Sequence, residues 1–180
     1  MILQQYKIVF AGSMGAGKST AIQTISNIDV LSTEAINTDT EAHQKSLTTV
    51  GIDYGELYLD ENTQIGLYGT PGQQRFDFIW DVINEGAIGT IILIDHNTDA
   101  PITELSNYLT YFSKQQFNII IAITHLDENP KVSTEIYHDW MQQQSNHYPL
   151  FFIDARNPED ILMLIDAMLA NAEVQISPRV

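Results

Sequence analysis

The run Gly12-Ser13-Met14-Gly15-Ala16-Gly17-Lys18-Ser19 constrains this chain more than any other stretch. It fits G-x-x-x-x-G-K-[ST] at every position and lies between a short apolar segment, Gln5 to Ala11, and a helix predicted from Lys18 to about Asn27. A buried strand, a glycine-rich turn and a helix N-terminus in that order let backbone N–H groups converge on phosphate oxygens. Lys18 then brings a cation to the terminal phosphates, and the Ser19 hydroxyl is available to a magnesium ion. Residues Gly12 to Thr20 are the predicted phosphate-binding set. Met14 leaves two readings open: a side chain turned harmlessly to solvent, or one that narrows the room beside the terminal phosphate.

Such a loop needs a parallel sheet behind it, and the remaining pattern supplies one. Ile52 to Leu59 and Gln64 to Tyr68 alternate around Asp60-Glu61-Asn62, which reads as a hairpin. Apolar runs at Thr90 to Ile94, Ile119 to Thr124 and Leu150 to Ile153 alternate with helical stretches at about 75–85, 101–115 and 133–145. The last helix has Asn157 as cap, Pro158 at its first position and Glu159 and Asp160 at its positive dipole end. Residues 28–50 show no periodicity and read as one long loop. The fold class expected is α/β: a P-loop nucleotide-binding fold with a six-stranded, mostly parallel sheet, one antiparallel strand and helices on both faces. One domain over 1–180 is expected, loosely held after Asn171.

Composition narrows the partners. The 180 residues hold 8 Lys plus Arg against 23 Asp plus Glu, a net charge of -15, which argues against nucleic acid and anionic lipid. There is no cysteine, so thiolate metal sites and disulfides are excluded. The apolar runs are strand-length, and the start MILQQYK lacks a signal peptide's design, so a cytoplasmic location without a direct membrane anchor is expected.

Base choice falls to two strand ends. Thr124-His125-Leu126-Asp127 follows the fifth strand and Asp154-Ala155-Arg156 the sixth. A carboxylate at Asp127 accepts from the N1–H and exocyclic amine of guanine, a pattern adenine lacks, and the Ala155 N–H can donate to the guanine O6. His125 would lie flat over the base and Thr124 would brace the loops. Asp127 as a helix cap and Asp154 as a turn former are the plainer alternatives.

Taken together, the phosphate loop, Thr49 before the second predicted strand, PGQ after the third, THLD and DAR resemble a Ras-like small GTPase. TTVGIDYGEL followed by GTPGQQRF is similar to the bacterial branch of MglA-like and conservon-type proteins. The resemblance implies a GTP/GDP switch working with magnesium and with roadblock/longin-type regulators or effectors. It implies that Thr49, or Thr48 one residue earlier, meets magnesium, that Gly72 offers its N–H to the γ-phosphate, and that Gln73 orients the attacking water. No arginine lies in the 28–50 loop, so slow intrinsic turnover is expected, with Arg75 as a candidate for inward rotation or for structural pairing. A nucleotide-loaded scaffold and a P-loop kinase for a small metabolite are the competing readings.

One residue departs from the family pattern: Gly69 stands where a magnesium-side carboxylate is usual. A hairpin symmetric about Glu61 would set Gly69 opposite Asp53, whose side chain would then share its face of the sheet. A half-residue slip would make Tyr54 the partner and turn Asp53 away. Asp95 at the end of the fourth predicted strand is the runner-up.

Overall fold

The computed structural model describes residues 4–36, 49–72, 77–114, 118–126 and 133–176. These form strands β1 (Gln4–Ala11), β2 (Leu31–Ile36), β3 (Thr49–Tyr58), β4 (Thr63–Gly69), β5 (Gly89–Asp95), β6 (Ile119–Thr124) and β7 (Leu150–Phe152). The helices are α1 (Lys18–Ile25), α2 (Asp77–Asn84), α3 (Pro101–Phe112), α4 (Glu135–Gln142) and α5 (Pro158–Ile176). The sheet order is β2-β3-β4-β1-β5-β6-β7. β3 pairs antiparallel with both β2 and β4, while β4, β1, β5, β6 and β7 pair in parallel, so β3 alone runs against the rest.

The sheet therefore has seven strands rather than the expected six, and the extra one corrects the reading of 28–50 as loop. β2, Leu-Ser-Thr-Glu-Ala-Ile, carries no alternation to reveal it; it exists because its backbone finds a ladder partner in β3, from Leu31↔Tyr54 to Ile36↔Thr49. At the C-terminal end α5 runs through Ile176.

The central strands are apolar on both faces because both are covered. Ile91 and Leu93 of β5 join Ile8, Phe10, Ile22, Leu67, Leu164 and Met168 in a core under α1 and α5. Their neighbours Ile92 and Ile94 join Trp80, Leu105, Phe112, Tyr137 and Trp140 in a second core under α2, α3 and α4. The start of α5 is built as its residues suggest: Glu159 N donates to Asn157 Oδ1 at 3.2 Å, and Asn157 Nδ2 to Asp160 Oδ1 at 2.9 Å. Among the described residues no helix is long and apolar enough to cross a membrane.

What matters for the site is how closely α1 lies on the hairpin. Gly55 of β3 has no side chain, and a Cβ there would stand 2.8 Å from both Ile22 Cγ2 and Ser26 Oγ. Ser26 closes the contact by accepting from the Glu56 N–H at 3.2 Å. Gly55→Ala should therefore push α1 off β3 and cost about 1–3 kcal/mol, the range for overpacking a close contact. Urea unfolding of the variant should show the midpoint falling with an unchanged m-value.

Candidate functional site

The loop after β1 wraps a concave space at the carboxyl ends of the strands. Gly15 and Gly17 hold φ of 87° and 98°, which a side chain would resist, and Gly17 in that conformation opens α1. A Cβ on Gly12 (φ 141°) would collide with the Leu93 carbonyl. Ala16 N donates to Ser13 O at 3.2 Å, closing the turn. Thr124, at the end of β6, donates its Oγ1 hydroxyl to the Ala16 carbonyl at 3.0 Å and so ties the loop to that strand.

Lys18 lies folded along this loop, 7% exposed, with Nζ donating to the Ser13 carbonyl at 2.7 Å. Burial pulls its ammonium down to about 8, against the opposing charges of Asp53 and Glu104. Met14 stands at the rim, 76% exposed, which favours the solvent-facing reading of that residue. Ser19 and Thr20 are exposed on the first turn of α1. A cavity of about 330 Å³ is lined by Met14, Lys18, Ser19, Ser32, Asp53, Thr70 and their neighbours.

The register places the Asp53 carboxylate. Asp53 pairs with Gly69, the partner that a turn centred on Glu61 requires. Its carboxylate is buried and accepts hydrogen bonds from two hydroxyls, Ser19 on Oδ2 and Ser32 on Oδ1. A Cβ on Gly69 would lie 3.2 Å from Asp53 Cβ and 3.3 Å from Asp53 Oδ2. The two positions thus compete for one space: with Asp53 present, only a residue without a side chain fits comfortably at 69. Asp95 does not line the cavity; it accepts from the Asn97 N–H at 2.8 Å and lies 3.6 Å from His125 Nδ1. The runner-up carboxylate belongs to the other end of the site.

Ser32 is the site residue that sequence reasoning missed, because it enters on the unforeseen strand β2, opposite Asp53. Thr70 was missed too. Among the described residues its Oγ1 is buried without a hydrogen-bond partner, and its residue lines the cavity, an orphaned polar atom of the kind a bound polar group satisfies. Gly72 comes so close to the phosphate loop that a Cβ there would be 2.8 Å from Met14 Cα.

Thr49 starts β3 with its backbone paired to Ile36, four residues along the strand from Asp53, which is roughly 13 Å at strand rise. Thr48, Gln73, Arg75 and Asp127 lie outside the described residues.

At the far end of the site, His125 adopts φ 60°, its Nδ1 2.9 Å from Thr124 Oγ1 and its carbonyl accepting from Asn97 Nδ2 at 2.7 Å. Ala155 is buried beside the phosphate loop: Gly17 carries no side chain, and a Cβ there would be 3.1 Å from Ala155 Cβ. Arg156 is committed to its neighbour, with Nε 2.8 Å from Asp154 Oδ1 and Nη2 2.8 Å from Oδ2. Those bonds, with the Arg156 N–H on Oδ1, hold the Asp154 carboxyl below its usual range and make Asp154 a turn former.

These residues fit a nucleoside triphosphate with a divalent cation: positive-φ glycines, a buried lysine, and a carboxylate beside a serine hydroxyl. The lysine carries a testable cost. Its ammonium titrates near 8 in the folded chain against 10.5 in the open chain, so above pH 8 the unfolded state binds more protons. Stability of the nucleotide-free protein should rise with pH between about 8 and 10, by up to roughly 3 kcal/mol relative to Lys18→Met. Denaturant midpoints of the two proteins at pH 7.5 and 9.5 check the sign.

Comparison with known proteins agrees with this geometry. The G domain of the T. maritima FeoB iron transporter superposes with a TM-score of 0.65 at 16% identity, covering 93% of this chain and 99% of that one, which shows a shared P-loop GTPase fold. The uncharacterized protein MJ1339 of Methanocaldococcus jannaschii is 31% identical over 91 residues. That match spans about half of each chain, 51% of this one and 51% of the relative. The model of a family described as "Conserved hypothetical ATP binding protein" matches residues 10–176, nearly the whole chain, and the protein belongs to that nucleotide-binding family.

Proposed function

We propose that this chain is a magnesium-dependent, GTP-binding and GTP-hydrolysing switch. The observation that carries the reading is the Asp53 carboxylate against the Ser19 hydroxyl, beside the Lys18 loop and over the bare Gly69. Ser19 and Asp53, joined by Thr49 once that residue reaches the site, would hold the cation. When bound, magnesium neutralises charge on the phosphate oxygens. Lys18 and the N–H groups of Gly12 to Thr20 would hold the phosphates, Gly72 would donate its N–H to the terminal one, and Gln73 would orient water for in-line attack. Single-domain organisation over 1–180 and a cytoplasmic location accompany this reading.

Guanine is the base favoured by the strand ends. Ala155 sits against the phosphate loop, Thr124 ties that loop to β6, and His125 lies at the strand end beside them. Asp127, two residues on, completes the guanine-reading set with Arg156 at the rim. The family description names ATP, so competition decides: GTP and GDP should displace a fluorescent guanine nucleotide at least 100-fold better than ATP, the discrimination that a site hydrogen-bonded to its base can exceed. Equal displacement by ATP would move the protein to the adenine class.

Kinship to the MglA-like branch, and with it a roadblock/longin-type partner, rests on the GTPGQQRF and TTVGIDYGEL stretches alone. A second reading, the nucleotide-loaded scaffold with little hydrolysis, is favoured by one observation: Thr49 is paired into the β2–β3 ladder far from Asp53. Phosphate release in single turnover separates the two. Asp53→Ala should lower magnesium-dependent GTP binding or hydrolysis about 10- to 100-fold, while magnesium-free GDP binding stays near the native value.

A further inference from the structure

We infer that Trp80 of α2 is a positioning residue for phosphate release, acting through a single hydrogen bond; the inference rests on the hydrolytic reading above and deepens it. The segment leaving β4 is held at two points. Thr70 N donates to the Phe10 carbonyl of β1 at 2.9 Å, and the next carbonyl, that of buried Pro71, accepts from Trp80 Nε1 at 3.2 Å. Proline has no N–H, so its carbonyl is the one backbone hydrogen-bonding group by which that residue can be fixed. Gly72 follows immediately, at van der Waals range of the Met14 backbone, and both residues line the cavity. The aim of the Gly72 N–H therefore depends on the plane of the Pro71 peptide, and Trp80 sets that plane.

The indole itself has little freedom. It is 4% exposed, stacked on Tyr108 (centroids 5.2 Å, 25°) and Phe112 (5.6 Å, 21°) and edge-on to Tyr111 (5.0 Å, 89°). Tyr111 in turn donates its phenol to Asp81, the neighbour of Trp80 on α2. An aromatic wall on α3 thus locks the donor, the donor locks Pro71, and Pro71 delivers Gly72.

The test separates ring from donor. Trp80→Phe keeps an aromatic in the wall and removes the N–H. In a Trp140→Phe background, benzothienylalanine at position 80 keeps the bicyclic volume and replaces N–H by sulfur. For both, GDP affinity and melting temperature are measured alongside single-turnover phosphate release from GTP. GDP affinity should stay within about twofold, because GDP has no terminal phosphate for Gly72 to meet, while release should slow about 5- to 30-fold in each variant, as expected when one donor's geometry is lost. Native release from the benzothienylalanine protein overturns the role and leaves Trp80 as packing. Loss of GDP binding in step with release also overturns it, since the defect would then be general. A native protein that releases no phosphate at all sinks the hydrolytic reading itself, and this role with it.

Discussion

The register of one hairpin governs this site. Because β3 turns into β4 around Glu61, Asp53 faces Gly69 across the ladder, and in the proposed reading the cation's carboxylate comes from the strand before the turn instead of the strand after it. Opposed residues share a face and stand a few ångströms apart at Cβ, so the exchange leaves the acid in nearly the same place. The glycine is the complement of that exchange: a side chain at 69 would press on Asp53 and Ile22 together. One residue of slip would turn Asp53 to the other face and leave the Ser19 hydroxyl without its acceptor.

Around that carboxylate the fold arranges charges that raise one another's cost when apart. Lys18 is buried enough for its ammonium to weaken, and Asp53 is one of the two carboxylates that offset the loss. Ser19 and Ser32 give the carboxylate two donors, from α1 and from an edge strand. A phosphate chain and a cation would satisfy what the protein alone leaves incomplete, including the orphaned Thr70 hydroxyl. Nucleotide binding and folding stability are therefore coupled through Lys18.

Much of this was legible in the residues. The motif from Gly12 to Ser19, the apolar runs of β5 and β6 and the capped start of α5 each combine a local propensity with a period that agrees with the final environment. The hairpin register was legible for the same reason, since Asp60-Glu61-Asn62 mark a turn between two alternating segments. β2 was not, because it is stabilised by a remote ladder partner and its sequence has no alternation. Ser32 was hidden with it. The Trp80 to Pro71 bond was equally invisible, since no local motif marks two residues nine apart in the chain as partners. Nor does the motif reveal that the Arg156 side chain pairs with its own neighbour, Asp154.

The most direct test of the central claim moves the carboxylate back. Magnesium-dependent GTP binding is compared in the native chain, in Asp53→Gly, in Gly69→Asp and in the double exchange Asp53→Gly with Gly69→Asp. If the two positions serve one site, Asp53→Gly loses magnesium dependence, Gly69→Asp is impaired by crowding, and the double exchange recovers most of the native affinity. If Asp53→Gly keeps native magnesium dependence, or the double exchange is no better than the single loss, Asp53 is not the cation's carboxylate and the cross-ladder account is wrong.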